Sequence, residues 1–416
     1  MQQPFAYRDN RMHAEDVPLD SIARRAGTPC FVYSSNAILG RYHAYDRAFG
    51  DAPHRICYAV KANGNLAILS LLAGAGAGFD IVSGGELFRV LRAGGAADKV
   101  VFAGVGKTAE EVEYALEHGI HSFSCESEAE LSLIDALASR LGTKARVSLR
   151  VNPDVDAVTH PKISTGLREH KFGIDIQAAE EIYARARWHS HIQMEGVSCH
   201  IGSQLLRAGP LLAALDRVLA LVDRLREKGI PIQELDLGGG LGIPYRPTDE
   251  APSIEDYVAQ VKNRVAGRNL TLLMEPGRSL VGEAGVLLSR VLYRKTNAGK
   301  EFVILDAAMN DLIRPSLYEA HHEILPVKRD PSRGTVKADV VGPVCETGDY
   351  LARDRELANV LPGDLVAIST AGAYGFVMSS NYNARPRAAE VMVAGDGWRI
   401  VRQRETFDDI IRGEMA

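Results

Sequence analysis

Short apolar segments alternate with longer amphipathic segments from about residue 55 to residue 275. The apolar segments have the length and composition of buried strands, and the amphipathic segments have the spacing of helices that bury one face. The alternation predicts a parallel sheet made from repeated strand–helix pairs. The predicted strands span residues 55–60, 78–82, 100–103, 121–125, 146–151, 195–200, 234–237 and 271–275, and the clearest helices span 66–75, 85–93, 109–117, 126–141, 211–228 and 254–265.

Eight strand–helix pairs are the number that closes a (β/α)8 TIM-like barrel, and a length of about 220 residues is within the usual range of that fold. An open, doubly wound sheet is the alternative. From residue 283 the pattern changes to strands at 285–293, 302–305, 337–341, 365–369 and 390–393, separated by Gly, Pro, Asp and Asn. This pattern predicts a second, mostly antiparallel β domain.

The predicted domain bounds follow from this change of pattern. We expect the barrel to span residues 37–282 and the β domain to span residues 283–416. A further predicted strand at 29–33 precedes the barrel, so we expect residues 1–36 to contribute to the β domain.

Composition narrows the class of protein. The chain has 416 residues, 46% of them hydrophobic, with 48 Lys and Arg against 53 Asp and Glu. Such a composition is typical of a globular protein with a large core, and a mildly acidic chain without basic blocks argues against nucleic-acid binding. Five scattered cysteines without a CxxC pair favour reduced thiols. The polar N-terminus and the lack of a long apolar segment predict a cytoplasmic enzyme rather than a secreted or membrane protein.

Polar residues and glycines occur at or just after the carboxyl ends of the predicted barrel strands. In a (β/α)8 barrel these ends surround the active site. Each residue alone has a structural explanation, such as a solvated strand end or a hydrogen-bonded core histidine. A lysine, a histidine and a glutamate on one rim together indicate a catalytic site. The residues are Lys61, Asp80, Gly104, Cys125, Asn152, His200, Gly238 and Glu275.

The loops after strands seven and eight favour phosphate binding. Gly238, Gly239 and Gly240 follow the seventh strand, and the segment 275–278 follows the eighth. Backbone N–H groups of such loops bind phosphates, although the glycines lack the GxGxxG spacing of a dinucleotide site. A phosphate site together with Lys61 points to pyridoxal phosphate as the cofactor. Glu275 would then lie near the pyridine nitrogen, and His200 would stack on the ring. A phosphosugar isomerase with a glutamate base is the alternative on this fold.

Motifs along nearly the whole chain carry a family likeness. They are YAVKAN (58–63), NPDVD (152–156), HKFGI (170–174), CHIGSQ (199–204), LGGGLG (237–242), EPGR (275–278), RPSLYE (314–319), GPVCE (342–346), AGAYG (371–375) and SSNYNARPR (379–387). In this order they resemble the diaminopimelate decarboxylases, which belong to the alanine-racemase-like, fold-type III class of pyridoxal-phosphate enzymes. Lys162 and Thr347 depart from the family pattern, and both bear on loop closure rather than on the chemistry.

The resemblance implies decarboxylation of meso-diaminopimelate to L-lysine and CO2, the last step of lysine biosynthesis. It also implies a C-terminal β-barrel and a cytoplasmic homodimer with shared active sites. Lys61 would bind the cofactor through an imine and His200 would stack on its ring, and Cys345 of the other subunit would donate a proton. The family pattern assigns the cofactor to Lys61, His200, Ser203, Gly239, Gly240, Glu275, Pro276, Gly277, Arg278 and Tyr374, and the substrate to Arg278, Arg314, Tyr318, Glu346 and Tyr374, with no metal.

The substrate supplies a physical check on this assignment. Diaminopimelate has an amino-acid group at each end, so the end that does not react needs a cation for its carboxylate and an anion for its ammonium. Arg278 or Arg314 can bind a carboxylate through two hydrogen bonds, and Glu346 can pair with the ammonium. An ornithine or arginine decarboxylase would be expected to carry an acidic or neutral residue in place of Arg314.

Several alternatives stay open at this point. Arg314 can be a surface arginine and Cys345 a buried, inert thiol, while core packing is the better interpretation of Cys30, Cys57, Cys125 and Cys199. The chain can be a decarboxylase of another amino acid, such as ornithine or arginine. It can also be a non-catalytic homologue that binds pyridoxal phosphate.

Overall fold

The computed structural model describes residues 3–156, 171–186 and 188–415. The chain divides into two compact units. The barrel unit comprises Arg41–Ile243 and Glu250–Ser279, and the sheet unit comprises Met1–Gly40, Pro244–Asp249 and Leu280–Ala416. In the part of the chain that the structure describes, no helix combines the length and the hydropathy needed to span a membrane.

Eight parallel strands form the closed barrel of the first unit. The first strand pairs with the second and with the eighth, and the fourth pairs with the fifth, so the ring closes. This confirms the predicted (β/α)8 barrel. The strands are His54–Ala59, Gly78–Ile81, Val100–Phe102, Ser122–Cys125, Ala145–Asn152, Ile192–Ser198, Glu234–Asp236 and Thr271–Met274, and a short strand at Ile174–Asp175 extends the sheet beside the fifth.

Helices alternate with the barrel strands and bury their apolar faces. The longest, Gly209–Glu227, buries leucines and valines at helical spacing, including Leu211, Leu215 and Val218. Side-chain caps fix where helices begin: Thr108 forms a capping box with Glu111, and Ser253 accepts a hydrogen bond from the Asp256 backbone. The helices are Ser35–Phe49, Leu66–Gly74, Gly84–Arg92, Ala109–Glu117, Glu128–Leu141, Ile176–Ala186, Gly209–Glu227, Ile254–Val265 and the short Arg278–Val281, with 3-10 turns at Val60–Ala62 and Ala97–Lys99.

The sheet unit is mostly antiparallel, as predicted. The long strand Gly285–Asn297 pairs antiparallel with Lys300–Leu305, Leu365–Ile368 and Cys30–Ser34. Two parallel pairings join Cys30–Ser34 to Ala389–Ala394 and Lys300–Leu305 to Thr335–Val341. The N-terminal strand therefore lies between two strands from the C-terminal part of the chain. The remaining strands are Ile324–Pro326, Tyr350–Ala358 and Gly397–Arg402.

Smaller elements complete the sheet unit. A three-stranded antiparallel sheet and one helix precede the strand Cys30–Ser34, and they pack into the same apolar core, which includes Leu19, Val32, Val286 and Val391. The elements are the strands Phe5–Arg8, Arg11–Ala14 and Val17–Pro18, the helices Leu19–Ala26, Arg314–Tyr318 and Phe407–Ile410, and 3-10 turns at Pro331–Arg333, Phe376–Met378 and Tyr382–Ala384.

Candidate active site

Lys61 lies at the carboxyl end of the first barrel strand, in the 3-10 turn Val60–Ala62. Its Nζ atom donates a hydrogen bond to Asp80 Oδ2 over 2.6 Å, and Asp80 lies in the second strand. The Asp80 side chain is fully buried, whereas 38% of the Lys61 side chain is exposed. The carboxylate therefore holds the amine at the rim of the barrel, on a side chain that is partly open to solvent.

Two buried carboxyl groups lie at the ends of strands seven and eight. Asp236 ends the seventh strand and accepts a hydrogen bond from the Gly238 backbone over 2.8 Å. Glu275 directly follows the eighth strand, and its backbone N–H donates to Gly238 O over 2.8 Å. Burial raises the pKa of Asp236 to about 7, and burial followed by the charge of Asp236 raises the pKa of Glu275 well above its ordinary value. The side chains are hydrogen-bonded to each other, and the pair therefore keeps a proton to a higher pH than an isolated, solvated carboxyl group would.

The glycine loop after strand seven packs directly against the loop after strand eight. A Cβ atom at Gly239 would lie 2.3 Å from Glu275 O, and one at Gly240, where φ is +108°, would lie 2.4 Å from Gly202 O. Only glycine allows so close an approach between these backbones. Beside the loop, Arg278 Nη2 donates to Ser203 Oγ over 3.2 Å. Backbone N–H groups, an arginine and a serine together form a donor set that fits a phosphate.

His200 follows the sixth strand and is neutral. The Gly239 backbone N–H donates to His200 Nδ1 over 3.2 Å, so Nδ1 is the unprotonated ring atom. Burial, followed by the positive charges of Arg150 and Lys61, holds the pKa of His200 well below its ordinary value. The rim thus carries a flat, uncharged imidazole. An amine, a buried acid pair, this ring and the phosphate donors make a set that fits pyridoxal phosphate.

Asp236 and Arg150 also belong to this site, through Glu275 and His200 respectively, and neither is among the predicted site residues. Arg150 lies in the fifth strand, and its guanidinium pairs with Glu126 over 2.9 Å and contacts the Phe172 ring at 5.0 Å. Glu126 also accepts a hydrogen bond from the Gly173 backbone over 2.8 Å. For Arg150 the only signal was a charged residue in the middle of a predicted barrel strand, since a buried arginine is unusual.

The sheet unit holds the predicted substrate residues. Arg314 begins the helix Arg314–Tyr318 and is 6% exposed, so it is not a surface arginine. Tyr318 ends the same helix and is half-buried, as is Tyr374, which has a positive φ of 55°.

Cys345 is exposed, and the other four cysteines are buried. The expectation of core packing is confirmed for Cys30, Cys57, Cys125 and Cys199, and the alternative of a buried thiol is wrong for Cys345. The Cys345 backbone donates to Asn383 Oδ1 over 2.8 Å. The neighbouring Glu346 is also exposed and hydrogen-bonds to Tyr382, which raises the pKa of that phenol. Thr347 lies in the same exposed segment, and Lys162 lies outside the described residues.

The described residues contain no group of three or more His, Cys, Asp or Glu side chains that could hold a metal ion.

Known proteins that resemble this chain bind pyridoxal, in agreement with the residues found at the rim of the barrel. Residues 35–282 match the model of the family described as pyridoxal-dependent decarboxylase, pyridoxal binding domain. The chain is 57% identical to a diaminopimelate decarboxylase from Pseudomonas aeruginosa over 99% of this chain and 98% of that protein.

Solved structures show the same likeness. A diaminopimelate decarboxylase from Helicobacter pylori complexed with L-lysine is 43% identical, with a TM-score of 0.91 over 95% of this chain and 98% of that one. A diaminopimelate decarboxylase from M. jannaschii, also in complex with L-lysine, is 38% identical, with a TM-score of 0.94 over 100% of this chain and 99% of that one.

Proposed function

The chain belongs to the diaminopimelate decarboxylase family of pyridoxal-dependent decarboxylases, and we propose that it releases CO2 from one end of meso-diaminopimelate to form L-lysine, the last step of lysine biosynthesis. The observation that carries this proposal is the contact between Lys61 and Asp80 on the same rim as the Asp236–Glu275 pair and the glycine loop. A cofactor that carries an aldehyde needs an amine with which it can form an imine, and the buried acids lie beside that amine.

Pyridoxal phosphate, the cofactor of this family, supplies an aldehyde that binds an amine and a ring that takes up the electron pair left when CO2 departs. We assign Lys61 as the amine that binds it. The backbones of Gly239, Gly240 and Gly277, together with Ser203, Pro276, Arg278 and Tyr374, would hold the phosphate end. Ser203 is oriented for this by its hydrogen bond from Arg278.

Glu275 would face the pyridine nitrogen and keep it protonated, and Asp236 forms a hydrogen bond with the Glu275 side chain. The neutral His200 would stack on the ring, since a flat imidazole without charge packs on an aromatic face without repelling a pyridinium. The Gly239 N–H bond to Nδ1 fixes the orientation of this imidazole.

Arg314 would bind the carboxylate at the end of the substrate that does not react, and Glu346 would bind the ammonium at the same end. Tyr318, Tyr374 and Arg278 complete the proposed substrate set. A buried guanidinium binds a carboxylate strongly because water does not compete for its donors.

Cys345 would deliver the proton to the carbon atom that loses CO2. In the balanced reaction the carbon–carboxylate bond breaks and CO2 leaves, and the arriving proton bonds to that carbon through the electron pair of the broken bond. The exposure of Cys345 and Glu346 supports a role in which both residues reach the site of a partner subunit in a homodimer. We place this homodimer in the cytoplasm. The domain bounds at residues 36 and 282 also stay a prediction.

A direct assay tests the reaction and the substrate together. Holoenzyme is given meso-diaminopimelate, L-ornithine or L-arginine, and CO2 and the amino-acid product are measured. We expect CO2 from meso-diaminopimelate alone, with one L-lysine for each CO2. Release from ornithine or arginine alone would overturn the assignment of Arg314, and a pyridoxal-loaded protein that releases no CO2 would favour a non-catalytic homologue.

A further inference from the structure

Arg314 is held by two neutral aromatic side chains of the sheet unit. Its Nη1 atom lies 3.0 Å from His322 Nε2, and its guanidinium carbon lies 4.6 Å from the centre of the Tyr245 ring. The rings of Tyr245 and His322 meet edge to face at 5.3 Å. His322 is completely buried and Arg314 nearly so. The position of the guanidinium is therefore fixed by packing and by a hydrogen bond to an imidazole.

The hydrogen bonds of His322 determine its tautomer. Its Nδ1 atom lies 2.8 Å from Ser369 O, and a carbonyl oxygen only accepts, so Nδ1 carries the proton. A guanidinium only donates, so Nε2 is the acceptor of the bond from Arg314. His322 is thus a neutral imidazole with its proton on Nδ1. Because the Ser369 carbonyl accepts that proton's hydrogen bond, Nε2 is the acceptor atom that faces Arg314.

The backbone around His322 is held independently of its side chain. The helix that begins at Arg314 ends at Tyr318, and the next residue, Glu319, has a positive φ of 53° and donates its backbone N–H to Arg314 O. Arg355 Nη1 donates to His322 O over 2.9 Å, and the Ser369 backbone donates to Glu323 O over 2.8 Å. Side-chain substitutions at residue 322 are therefore expected to leave the backbone in place.

We propose that His322 is a positioning residue for Arg314 and through it selects substrates that carry a carboxylate at the end that does not react. Neither His322 nor Tyr245 adds negative charge, so these two contacts orient the guanidinium without cancelling its attraction for an anion. A guanidinium has five N–H donors, so one bond to His322 is compatible with binding a carboxylate through two others. This inference rests on the proposed role of Arg314 and extends it to a residue outside the predicted site.

Two substitutions separate positioning from a merely structural role. In His322→Gln the amide oxygen can occupy the place of Nε2 and accept from Arg314, whereas in His322→Asn the shorter amide can occupy the place of Nδ1 and donate to Ser369 O. The holoenzymes are compared for kcat and KM with meso-diaminopimelate. Binding of L-lysine and of cadaverine is measured from the change in the cofactor spectrum, and cadaverine is the control because it lacks the carboxylate.

We expect His322→Asn to raise KM and to weaken L-lysine binding by roughly 10-fold to 100-fold, the usual range for a lost hydrogen bond to a charged group. His322→Gln should stay close to the wild type, kcat should change little in either variant, and cadaverine binding should not change. The inference is overturned if Asn is tolerated and Gln is not, or if both variants weaken cadaverine as much as L-lysine.

The variant Arg314→Leu distinguishes failure of this inference from failure of the proposed function. If Arg314→Leu leaves L-lysine binding unchanged, the proposed role of Arg314 is wrong, and the positioning role of His322 fails with it. If Arg314→Leu weakens L-lysine but neither His322 variant does, the function stands and only the inference fails.

Discussion

Asp236 and Glu275 form a hydrogen-bonded pair of buried carboxyl groups at the ends of neighbouring barrel strands. Two such groups cannot both ionise without repulsion in a buried site. Burial is the main reason that the pKa of Asp236 rises to about 7, far above its value in an unfolded chain. The free energy of unfolding therefore falls as the pH rises from about 4 to about 7. The reason is that the folded state still holds protons in this range that the unfolded chain has released.

Asp236→Asn should remove this cost. The amide can still accept from the Gly238 backbone and can donate to Glu275. We expect the cofactor-free variant to gain stability at both pH values, with a gain at pH 8 that exceeds the gain at pH 5 by about 3 kcal/mol. Denaturant unfolding at both pH values measures the gain, with the exposed Asp98→Asn as the matched control. A gain of equal size at pH 5 and pH 8 would contradict the raised pKa of this carboxyl pair.

Lys61→Ala should abolish covalent binding of the cofactor. The purified wild type should carry a visible absorption band that survives dialysis, and the variant should lose it, because alanine has no amine to form the imine. Activity should fall with the band. Lys144→Ala, which removes an exposed lysine, is the control and should keep both. A band that persists in Lys61→Ala would contradict the assignment of Lys61.

Cys345 should be the thiol that reacts first in the native protein. Burial raises the pKa of Cys30, Cys125 and Cys199 to about 12 and that of Cys57 well above its ordinary value, so these thiols stay protonated and inaccessible at pH 8. Brief treatment with iodoacetamide followed by mass spectrometry should find one label, on Cys345. The unfolded chain should take five labels, and native Cys345→Ser should take none. Early labelling of any buried cysteine would contradict the described burial.

Cys345→Ala should slow turnover by about 10²-fold to 10⁴-fold, the usual contribution of a positioned proton donor, while the cofactor band is retained. Mixed dimers of Lys61→Ala and Cys345→Ala chains test whether sites are shared. One site of each mixed dimer would then have both residues, so about half of the wild-type activity should return, as two-fold symmetry requires. If isolated mixed dimers stay inactive, each chain completes its own site.

The barrel could be predicted from sequence because its signals are local. Thr108 and Ser253 mark helix starts, and the predicted helices at 109–117 and 254–265 agree with Ala109–Glu117 and Ile254–Val265. The strands that the prediction missed depend on distant partners instead. Tyr350–Ala358 contains a run of charged residues typical of a solvated loop, and it is a strand because it pairs with Thr335–Val341.

The site residues also fall into those with local sequence signals and those that depend on distant partners. Lys61, His200 and Glu275 could be located because they follow apolar strands or lie in recognisable motifs. Asp236 and His322 could not, because their contributions depend on which side chains they meet after folding. Asp236 contacts Glu275 from the next strand, and His322 contacts Ser369, nearly 50 positions further along the chain.

The pairing of Cys30–Ser34 with Gly285–Asn297 and Ala389–Ala394 has a consequence for how the protein is made. A ribosome completes this strand before it begins the barrel, and both neighbouring strands emerge only after the barrel has been synthesised. The barrel segment can therefore fold during translation, while the core of the sheet unit has to wait until Ala389–Ala394 has been synthesised. Until then the apolar residues of Cys30–Ser34 lack at least one of their two partner strands.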